Sequence, residues 1–270
     1  MLRHLVASAM IGLVAVPVPK AGAVSPPIVL ILMENHEYGS VIGSRSAQYI
    51  NKTLVRDGLL ATDYHAPFHP SLPNYLALTS GSNDGCLSDS CPRRSIAADN
   101  LFNQLGSGWK AYEQSMPSPC DRGNSGRYAV RHNPPPYFQD LESTCASQDV
   151  ALPALATDIA NSSLPAFSFV TPNLCGDMHD CPVSMGDHWL AANVPQLLDA
   201  GAVVIVVWDE GTTDQGGGGH VACIVDGPGV ARHSTDTDAL THYSVLAGIE
   251  NALGLPRLRH ARRATALPIP

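Results

Sequence analysis

The sequence predicts an α/β fold with a mostly parallel central sheet and helices on both faces. Two apolar runs, residues 28–33 and 202–208, are continuous rather than alternating, which is typical of strands buried on both faces. Strand-like and helix-like segments alternate along the chain, and this alternation favours a parallel sheet. Each apolar run ends abruptly on polar residues. Ligands of open α/β sheets bind beyond the carboxyl ends of the strands, so we expect a functional site there.

The polar residues that follow the two runs are mostly carboxylates. Glu34 and Asn35 follow the first run, and Asp209 and Glu210 follow the second. If both strands belong to one parallel sheet, these four side chains share one edge. Three carboxylates in one place repel one another strongly unless a cation lies among them. Oxygen ligands of this kind suit a hard divalent ion, so the sequence predicts one metal site.

The other elements follow from caps, glycines and shorter apolar segments. Pro73 fits a first helical turn and Gly81 fits a C-cap, so Ser71 is expected at or just before a helix N-terminus. Asp187 and Thr241 are expected to cap two later helices. Further helices are predicted over residues 46–56, 98–105 and 152–160, further strands over 59–66, 109–114, 166–170 and 220–226, and a flexible glycine-rich tip over 216–219.

The composition points to a single exported domain. The 270 residues are 44% hydrophobic, enough for one sizeable core, and the net charge of -8 argues against nucleic acid as a partner. Arg3, the apolar stretch 5–18 and Ala21-Gly22-Ala23 have the order of a signal peptide. We therefore expect a signal peptide at 1–23, one domain at 24–270 and secretion. The apolar stretch is short and proline-rich, so no stable membrane insertion is expected.

The seven cysteines of an exported chain indicate disulfide bonds. Spacing alone does not fix their connectivity, but three local pairs would each close a loop rich in glycine or proline. The seventh residue, Cys223, lies in an apolar run and is expected to be a buried free thiol. The three pairs are Cys86 with Cys91, Cys120 with Cys145, and Cys175 with Cys181.

Ser71 lies in the block His69-Pro70-Ser71-Leu72-Pro73-Asn74-Tyr75 and has three possible roles. Serine is a preferred helix cap, so Ser71 taken alone is best explained as an N-cap. It could instead be a nucleophile or a metal ligand. Its surroundings do not match Gly-x-Ser-x-Gly, which disfavours an α/β-hydrolase elbow. The N–H groups and dipole of a helix N-terminus would favour an anion beside it.

Two histidine blocks offer groups that could bind phosphate. Arg131 and His132 could be an exposed pair in a long loop, or they could clamp a phosphate with arginine contacts and an imidazole acid. His179 lies between Asp177 and Asp180 in a loop that follows a predicted strand, which favours the active edge over the surface. The sequence leaves the roles of four other histidines open: His69, His188, His220 and His242.

Seven blocks of this sequence occur in the order of a known family. They are Met33-Glu34-Asn35, residues 69–75, Arg131-His132, Pro172-Asn173 with residues 177–180, residues 186–190, Trp208-Asp209-Glu210, and His242-Tyr243. The sequence resembles the phosphoesterase family of bacterial phospholipases C and secreted acid phosphatases, especially the small mycobacterial secreted acid phosphatases. The resemblance covers nearly the whole chain after residue 23. It implies an alkaline-phosphatase-like three-layer sandwich.

The resemblance also implies roles for individual residues. Ser71 would be the nucleophile as well as a metal ligand. His132 and His179 would serve the phosphoryl oxygens or the leaving group, with Arg131 and Asp177 beside them in the catalytic set. The ligands of one divalent metal would be Glu34, Asn35, Ser71, Asp209 and Glu210.

The resulting hypothesis is a secreted, metal-dependent acid phosphatase that hydrolyses phosphate monoesters through a phosphoseryl intermediate. Ca²⁺ is the expected metal, with Mg²⁺ or Zn²⁺ as alternatives. We expect a monomer that binds a small phosphorylated substrate or a phospholipid head group. A phospholipase C-type phosphodiesterase with the same core is one alternative. A non-catalytic calcium-binding secreted protein is another, although it leaves the serine and histidine blocks unexplained.

Overall fold

The computed structural model describes residues 25–213 and 217–270. The predicted signal peptide at residues 1–23 and the first residue of the predicted glycine-rich tip lie outside these ranges. A helix with the length and hydrophobicity needed to span a bilayer does not occur within them.

The described residues form a large sheet, a small sheet and surrounding helices. The strands are β1 Ile28–Met33, β2 Leu59–Ala61, β3 Tyr64–Ala66, β4 Trp109–Glu113, β5 Asp149–Ala151, β6 Phe167–Thr171, β7 Val203–Trp208, β8 Gly219–His220, β9 Cys223–Asp226, β10 Ser234–Asp236 and β11 Leu240–Thr241. The α-helices are α1 Tyr38–Val41, α2 Val55–Asp57, α3 Ser71–Ser80, α4 Leu101–Leu105, α5 Cys145–Gln148, α6 Pro153–Ala160, α7 Val183–Asp199 and α8 His242–Ala252.

The large sheet has eight strands in the order β10-β2-β9-β7-β1-β6-β4-β5. Strand β9 is antiparallel to both of its neighbours, whereas the other pairs are parallel. The predicted α/β class with a mostly parallel sheet is therefore confirmed. The small sheet, in the order β11-β3-β8, lies beside it.

Strand β1 is central and fixes the position of the functional edge. All six of its residues are buried, as are all six residues of β7. Burying one large aliphatic side chain contributes about 1.5–3 kcal/mol, so the two strands supply much of the core. Met33 at the end of β1 is aligned with Trp208 at the end of β7. The next residues, Glu34 and Asp209, therefore leave the sheet side by side.

The structure corrects two predicted strands, each of which is divided between the two sheets. Residues 59–66 form β2 in the large sheet and β3 in the small sheet, and residues 220–226 divide between β8 and β9. β2 pairs with β9 in the large sheet, and β3 pairs with β8 in the small sheet. The segments 59–66 and 220–226 therefore pass from one sheet to the other side by side. Val221 and Ala222 stay buried across the break. Hydrophobicity alone therefore suggested one continuous strand there.

The structure also corrects the role predicted for Asp187. This residue lies inside α7 and does not cap it. Its carboxylate instead accepts hydrogen bonds from the backbone N–H groups of Tyr49 at 3.0 Å and Ile50 at 2.9 Å. These donors open the helical stretch 48–57, which contains a π-helical turn at Ile50–Leu54 and corresponds to the helix predicted over 46–56. Asp187 thus supplies acceptors for donors that a helix start leaves without partners.

The helices on which the site depends begin and end as predicted. Gly81 follows α3 with φ of 75°, a left-handed conformation in which glycine lacks the steric penalty of other residues. Thr241 caps α8 through a capping box with Ser244. The remaining predicted helices and strands are present within about three residues of their expected bounds.

Candidate active site

Four buried carboxyl groups meet at the carboxyl ends of the central strands. Glu34 and Asp209 follow β1 and β7 and have no exposed surface, and Glu210 is only 2% exposed. Asp177 joins them from the loop after β6, because its carbonyl oxygen accepts the Glu34 N–H at 2.8 Å. The Asp209 N–H donates to the Met33 carbonyl at 2.9 Å. Main-chain bonds thus hold the acidic residues of both sequence runs at one edge.

The crowding of these acids changes their ionisation. Burial raises the pKa of Glu34 well above its usual range, and the charges of Asp209 and Asp177 raise it further. Burial, followed by the charge of Glu210, does the same for the pKa of Asp209. Burial also raises the pKa of Asp177 and of Glu210 to about 7. The group therefore needs either bound protons or a cation.

The Ser71 hydroxyl lies between two of these carboxyl groups. Its Oγ is 3.2 Å from Oε2 of Glu34 and 3.1 Å from Oε1 of Glu210. Ser71 is the first residue of α3, whose cap position is Pro70, and its side chain makes no capping bond among the described residues. The N-cap interpretation is therefore wrong. The hydroxyl carries one proton and can donate to only one carboxylate at a time.

The N-terminus of α3 already holds an anionic side chain. The Leu72 N–H donates to Oδ1 of Asp89 at 3.0 Å. The second oxygen of Asp89 lies 3.6 Å from Nε of Arg131. Asp89 is thus positioned beside both groups that the sequence predicted for an anion, the helix N-terminus and the arginine.

His132 is buried between carboxyl groups on both sides of its ring. Its Nε2 is 3.3 Å from Oε1 of Glu34, and its Nδ1 is 3.4 Å from Oδ2 of Asp177. The ring stacks on Tyr75, with centroids 5.3 Å apart and an angle of 5° between the planes. Burial, and then the charge of Arg131, lower the pKa of His132 well below its usual value. Burial therefore favours the neutral form of the imidazole.

Arg131 and His179 are in direct contact at the rim of the site. One guanidinium nitrogen of Arg131 lies 2.9 Å from Nε2 of His179. Since a guanidinium only donates, Nε2 accepts, and Nδ1 is left to donate to Asp180 at 2.7 Å. The backbone N–H of His179 donates to Oδ1 of Asp177 at 2.8 Å, and this bond stabilises the loop after β6. The structure therefore brings together the whole predicted set Ser71, Arg131, His132, Asp177 and His179.

Three residues that the sequence reasoning did not assign contact the site. Tyr75 donates to Oε1 of Glu34 at 2.6 Å, and it lies four residues after Ser71 on the same helix face. That spacing was a usable signal. His69 lies with Nδ1 2.6 Å from Oε2 of Glu210. His242, buried at the start of α8, has Nε2 2.6 Å from the carbonyl oxygen of Asp209.

Other candidates contribute less than expected. Asn35 has φ of 54° and reaches the site through its N–H, which is 3.4 Å from Oδ1 of Asp209. Its side chain makes no hydrogen bond within residues 25–213 and 217–270. His220, in β8 of the small sheet, stacks between Tyr38 and His65. His188 lines a separate groove with Trp189 and the disulfide-closed loop before α7.

The donor set fits a divalent cation. Ligand atoms of Glu34, His132 and His179 all lie within 4.8 Å of one another. Oδ2 of Asp209 is buried and has no hydrogen-bond partner in the described part of the chain. A cation would replace the protons that these carboxyl groups otherwise require. The carboxylate and hydroxyl oxygens of the cluster suit a hard divalent ion, and the imidazole of His132 lies beside them.

The three predicted disulfides are present, and each encloses residues of the site. Cys86–Cys91 encloses Asp89, Cys120–Cys145 encloses Arg131 and His132, and Cys175–Cys181 encloses Asp177 and His179. Cys223 is a buried free thiol, as predicted. The loops that face the carboxyl cluster are therefore cross-linked. In contrast, Glu34, Asp209 and Glu210 directly follow β1 and β7, and Ser71 is part of α3.

A second buried acidic pair supports the loop of His132. Glu113 and Asp149 lie at the adjacent strands β4 and β5, and both are buried. The Thr171 hydroxyl lies 3.0 Å from Oε1 of Glu113 and 3.2 Å from the His132 carbonyl oxygen. Nδ2 of Asn133 donates to Oδ2 of Asp149 at 2.8 Å. Burial raises the pKa of Asp149 to about 8, so its carboxyl group is mainly neutral at pH 7.

The fold is similar to that of solved proteins described as members of the alkaline phosphatase superfamily and of related enzymes. A member of that superfamily from Vibrio parahaemolyticus superposes with a TM-score of 0.65 at 12% identity, over 91% of this chain and 71% of that one. The lipoteichoic acid synthase LtaP from Listeria monocytogenes gives 0.63 at 10% identity, over 89% and 76%. At these identities the likeness shows the fold, and the predicted fold class is confirmed.

The chain belongs to the Phosphoesterase family, whose model matches residues 44–256. A phosphatidylinositol-3-phosphatase from Mycobacterium tuberculosis is 30% identical over an alignment of 245 positions that covers 88% of this chain and 80% of that protein. A phosphate-repressible acid phosphatase from Penicillium chrysogenum is 29% identical over 76% of this chain, which spans only 54% of the fungal protein. The chain is therefore a hydrolase of phosphate esters, as predicted, and the non-catalytic alternative is wrong.

Replacing Asp149 by Asn is expected to flatten the dependence of stability on pH. The folded pKa of about 8 lies above the ordinary value of about 3.9. A neutral Asp149 thus contributes stability that is fully present below about pH 4 and is lost as the pH rises through about 8. Urea unfolding with chelator should show a shallower decline for Asp149→Asn than for wild type. Asp199→Asn, on the exposed end of α7, should keep the wild-type slope; equal slopes for all three proteins would contradict the argument.

Proposed function

We propose that this protein is a secreted, metal-dependent acid phosphatase that hydrolyses phosphate monoesters with Ser71 as nucleophile. The observation that carries the proposal is the position of the Ser71 hydroxyl, 3.2 Å from Glu34 and 3.1 Å from Glu210. A hydroxyl between two carboxylates has acceptors for its proton at the moment of attack. The names of the relatives, a phosphatidylinositol-3-phosphatase and an acid phosphatase, support a monoester as substrate.

We assign the metal to the carboxyl cluster, with Ca²⁺ preferred and Mg²⁺ or Zn²⁺ as alternatives. The unpaired Oδ2 of Asp209 and the raised pKa values of the buried acids support this assignment. When bound, a divalent ion supplies Lewis-acid polarisation of a phosphoryl oxygen and favours the ionised serine. The residues that would hold it are Glu34, Asn35, Ser71, Asp209 and Glu210.

The chemistry assigned to the chain is a double displacement. The Ser71 hydroxyl loses its proton to Glu34 or Glu210 as its oxygen forms a bond to phosphorus. The ester P–O bond then breaks, and the leaving alkoxide oxygen takes up the proton from that carboxyl group and departs as the alcohol. Water hydrolyses the phosphoserine, releases phosphate and restores the serine. Two bonds to phosphorus are thus made and two are broken in each cycle.

The loop residues are assigned to the phosphoryl group. Arg131 offers fixed donors that match phosphate oxygens, and His179 is in direct contact with its guanidinium group. The Asp177 carboxylate accepts a hydrogen bond from the backbone N–H of His179 and so helps to orient this residue. His132, held neutral between Glu34 and Asp177, can donate from one ring nitrogen to a phosphoryl oxygen or to the leaving group.

The proposal includes the organisation of the chain. We assign residues 1–23 to a signal peptide and 24–270 to a single domain that acts as a monomer outside the cell. Three disulfides at one site support an extracytoplasmic location. The substrate is a small phosphomonoester or a phosphorylated lipid head group. Faster turnover of phosphatidylcholine than of any monoester would instead assign the phospholipase C-type activity.

The Ser71→Ala variant is expected to lose turnover of para-nitrophenyl phosphate and to form no phosphoserine. Its fold should survive, because Ser71 caps nothing and alanine is a good helix former. Mass spectrometry of acid-quenched protein measures the intermediate, and circular dichroism checks the fold. Ser80→Ala, on the last turn of α3, is the matched control and should keep activity. A folded Ser71→Ala protein with near wild-type turnover would mean that water attacks directly.

The Asp209→Asn variant is expected to lower metal content and activity together. The change removes one anionic oxygen from the cluster and leaves the side-chain size nearly unchanged. Atomic spectrometry after exhaustive dialysis measures the metal, and chelator should abolish wild-type activity. Asp226→Asn makes the same change at the opposite end of the sheet, where β9 ends, and should leave both quantities intact. Unchanged metal stoichiometry in Asp209→Asn would place the ion elsewhere.

The Asp89→Asn variant is expected to bind inorganic phosphate more tightly. Asp89 contacts the Leu72 N–H and faces Arg131, so its charge repels an anion at these groups. Asparagine keeps an acceptor for the N–H but removes the charge. Product inhibition by phosphate should strengthen by roughly twofold to fivefold, the scale of one partly exposed charge interaction. Asp99→Asn, exposed and outside the site, should show no change, and an unaltered inhibition constant in Asp89→Asn would contradict the interpretation.

A further inference from the structure

A strongly basic segment lies outside the active site, near the end of the described chain. Residues 257–263 contain four arginines and one histidine, although the chain as a whole carries a net charge of -8. Most of these side chains are exposed. Together with Ser82, the segment lines a groove of about 490 Å³. Its lining residues are Ser82, Arg259, His260, Arg262 and Arg263.

Acidic neighbours neutralise only part of this charge. Asp84 forms an ion pair with Arg259. Glu250 is close enough to Arg257 and Arg262 for their charges to lower its pKa, although burial raises that pKa overall to about 7. Arg263 makes no ion pair within the described ranges. The groove therefore keeps a net positive charge and presents arginine donors that suit phosphate and carboxylate groups.

The most exposed large apolar side chain of the described residues follows shortly in the chain after Asp84, the residue that pairs with Arg259 of this groove. Leu87 is 74% exposed, and Met185, at 47%, is the only other exposed large hydrophobic residue in these ranges. Leu87 follows Asp84 by three residues, and an extended chain of that length spans about 11 Å at most. Its Cα is thus within about 11 Å of the residue that pairs with Arg259.

The same loop reaches the active site on its other side. Leu87 and Asp89 lie inside the Cys86–Cys91 loop, and two residues span about 7 Å at most. Asp89 bonds to the N–H of Leu72, which follows Ser71. One short, cross-linked loop therefore connects the basic groove, an exposed leucine and the start of the nucleophile helix.

We propose that Leu87 and the basic segment 257–263 form a docking surface for a bilayer that contains anionic phospholipids. Arginines at such a surface are attracted by lipid phosphates and carboxylates, and a single exposed leucine enters the interfacial region. The leucine favours a lipid surface over a soluble polyanion, which would gain nothing from an apolar side chain. Docking would hold the Ser71 site beside phosphorylated head groups. The role given to docking rests on the proposed phosphomonoesterase function, but vesicle binding itself can be measured without turnover.

Vesicle co-sedimentation of the mature protein tests the proposal. Wild type should sediment with phosphatidylcholine vesicles that contain phosphatidylserine, not with pure phosphatidylcholine, and binding should weaken as salt is added. The double variant Arg262→Glu/Arg263→Glu should lose binding by at least about tenfold. Leu87→Ser should weaken it on the order of threefold to tenfold. Both variants should hydrolyse para-nitrophenyl phosphate like wild type, because neither change touches the site.

Matched controls separate a local surface from general charge. Arg45→Glu/Lys52→Glu makes the same charge change at two exposed residues elsewhere, and Met185→Ser removes the other exposed hydrophobic side chain; both should keep vesicle binding. Equal loss in the control charge variant would overturn the proposal. So would wild-type binding to heparin without binding to vesicles, which would assign the groove to a soluble polyanion. A protein that binds vesicles but hydrolyses no monoester would sink the proposed function and leave the docking surface standing.

Discussion

The constraint on which the site depends is the enforced proximity of buried acids at the end of the central strands. The register of β1 and β7 fixes where Glu34 and Asp209 emerge, and both strands are buried along their whole length. The acids cannot move apart without breaking the sheet. Their repulsion must be offset by protons, by a cation or by donors placed nearby. The Ser71 hydroxyl and Tyr75 place hydrogen-bond donors beside these acids. His69 and His132 also lie within ion-pair distance of them. All four side chains can therefore offset the repulsion between the acids.

The site is assembled from two structural sources with different rigidity. The sheet and α3 supply the acids and the serine, all on elements packed into the core. Loops supply the groups that face them, including Arg131, His132 and His179. Long loops gain order only from added contacts, and here these contacts are disulfides and a buried polar network beneath His132. Nucleophile and acids are thus positioned by hydrophobic packing, whereas the basic groups are positioned by cross-links and hydrogen bonds.

Much of this arrangement could be predicted because it follows from local patterns. Two uninterrupted apolar runs gave the sheet, its functional edge and the carboxylates, since a parallel strand must release its next residue at that edge. The parts that could not be predicted are tertiary. Asp187 caps a helix start that is 137 residues away in sequence, and Asp89 reaches α3 across a disulfide loop. No local pattern encodes such pairings. His69 was beside Ser71 in the sequence, yet only its distance from Glu210 shows that it contacts the site.

The three disulfides cross-link the loops that complete the site, so the order of these loops depends on oxidation of the cysteines. If loop-closure entropy dominates, each cross-link destabilises the unfolded chain by roughly 2–4 kcal/mol, and the Cys120–Cys145 bond, which closes the longest loop, has the largest effect. The sheet core needs none of them, because its strands are held by apolar burial. A freshly synthesised chain in a reducing compartment would therefore have its acids and Ser71 in place while the loops of Arg131 and His179 lacked their cross-links. Such a chain would be a latent enzyme, completed only where its cysteines pair.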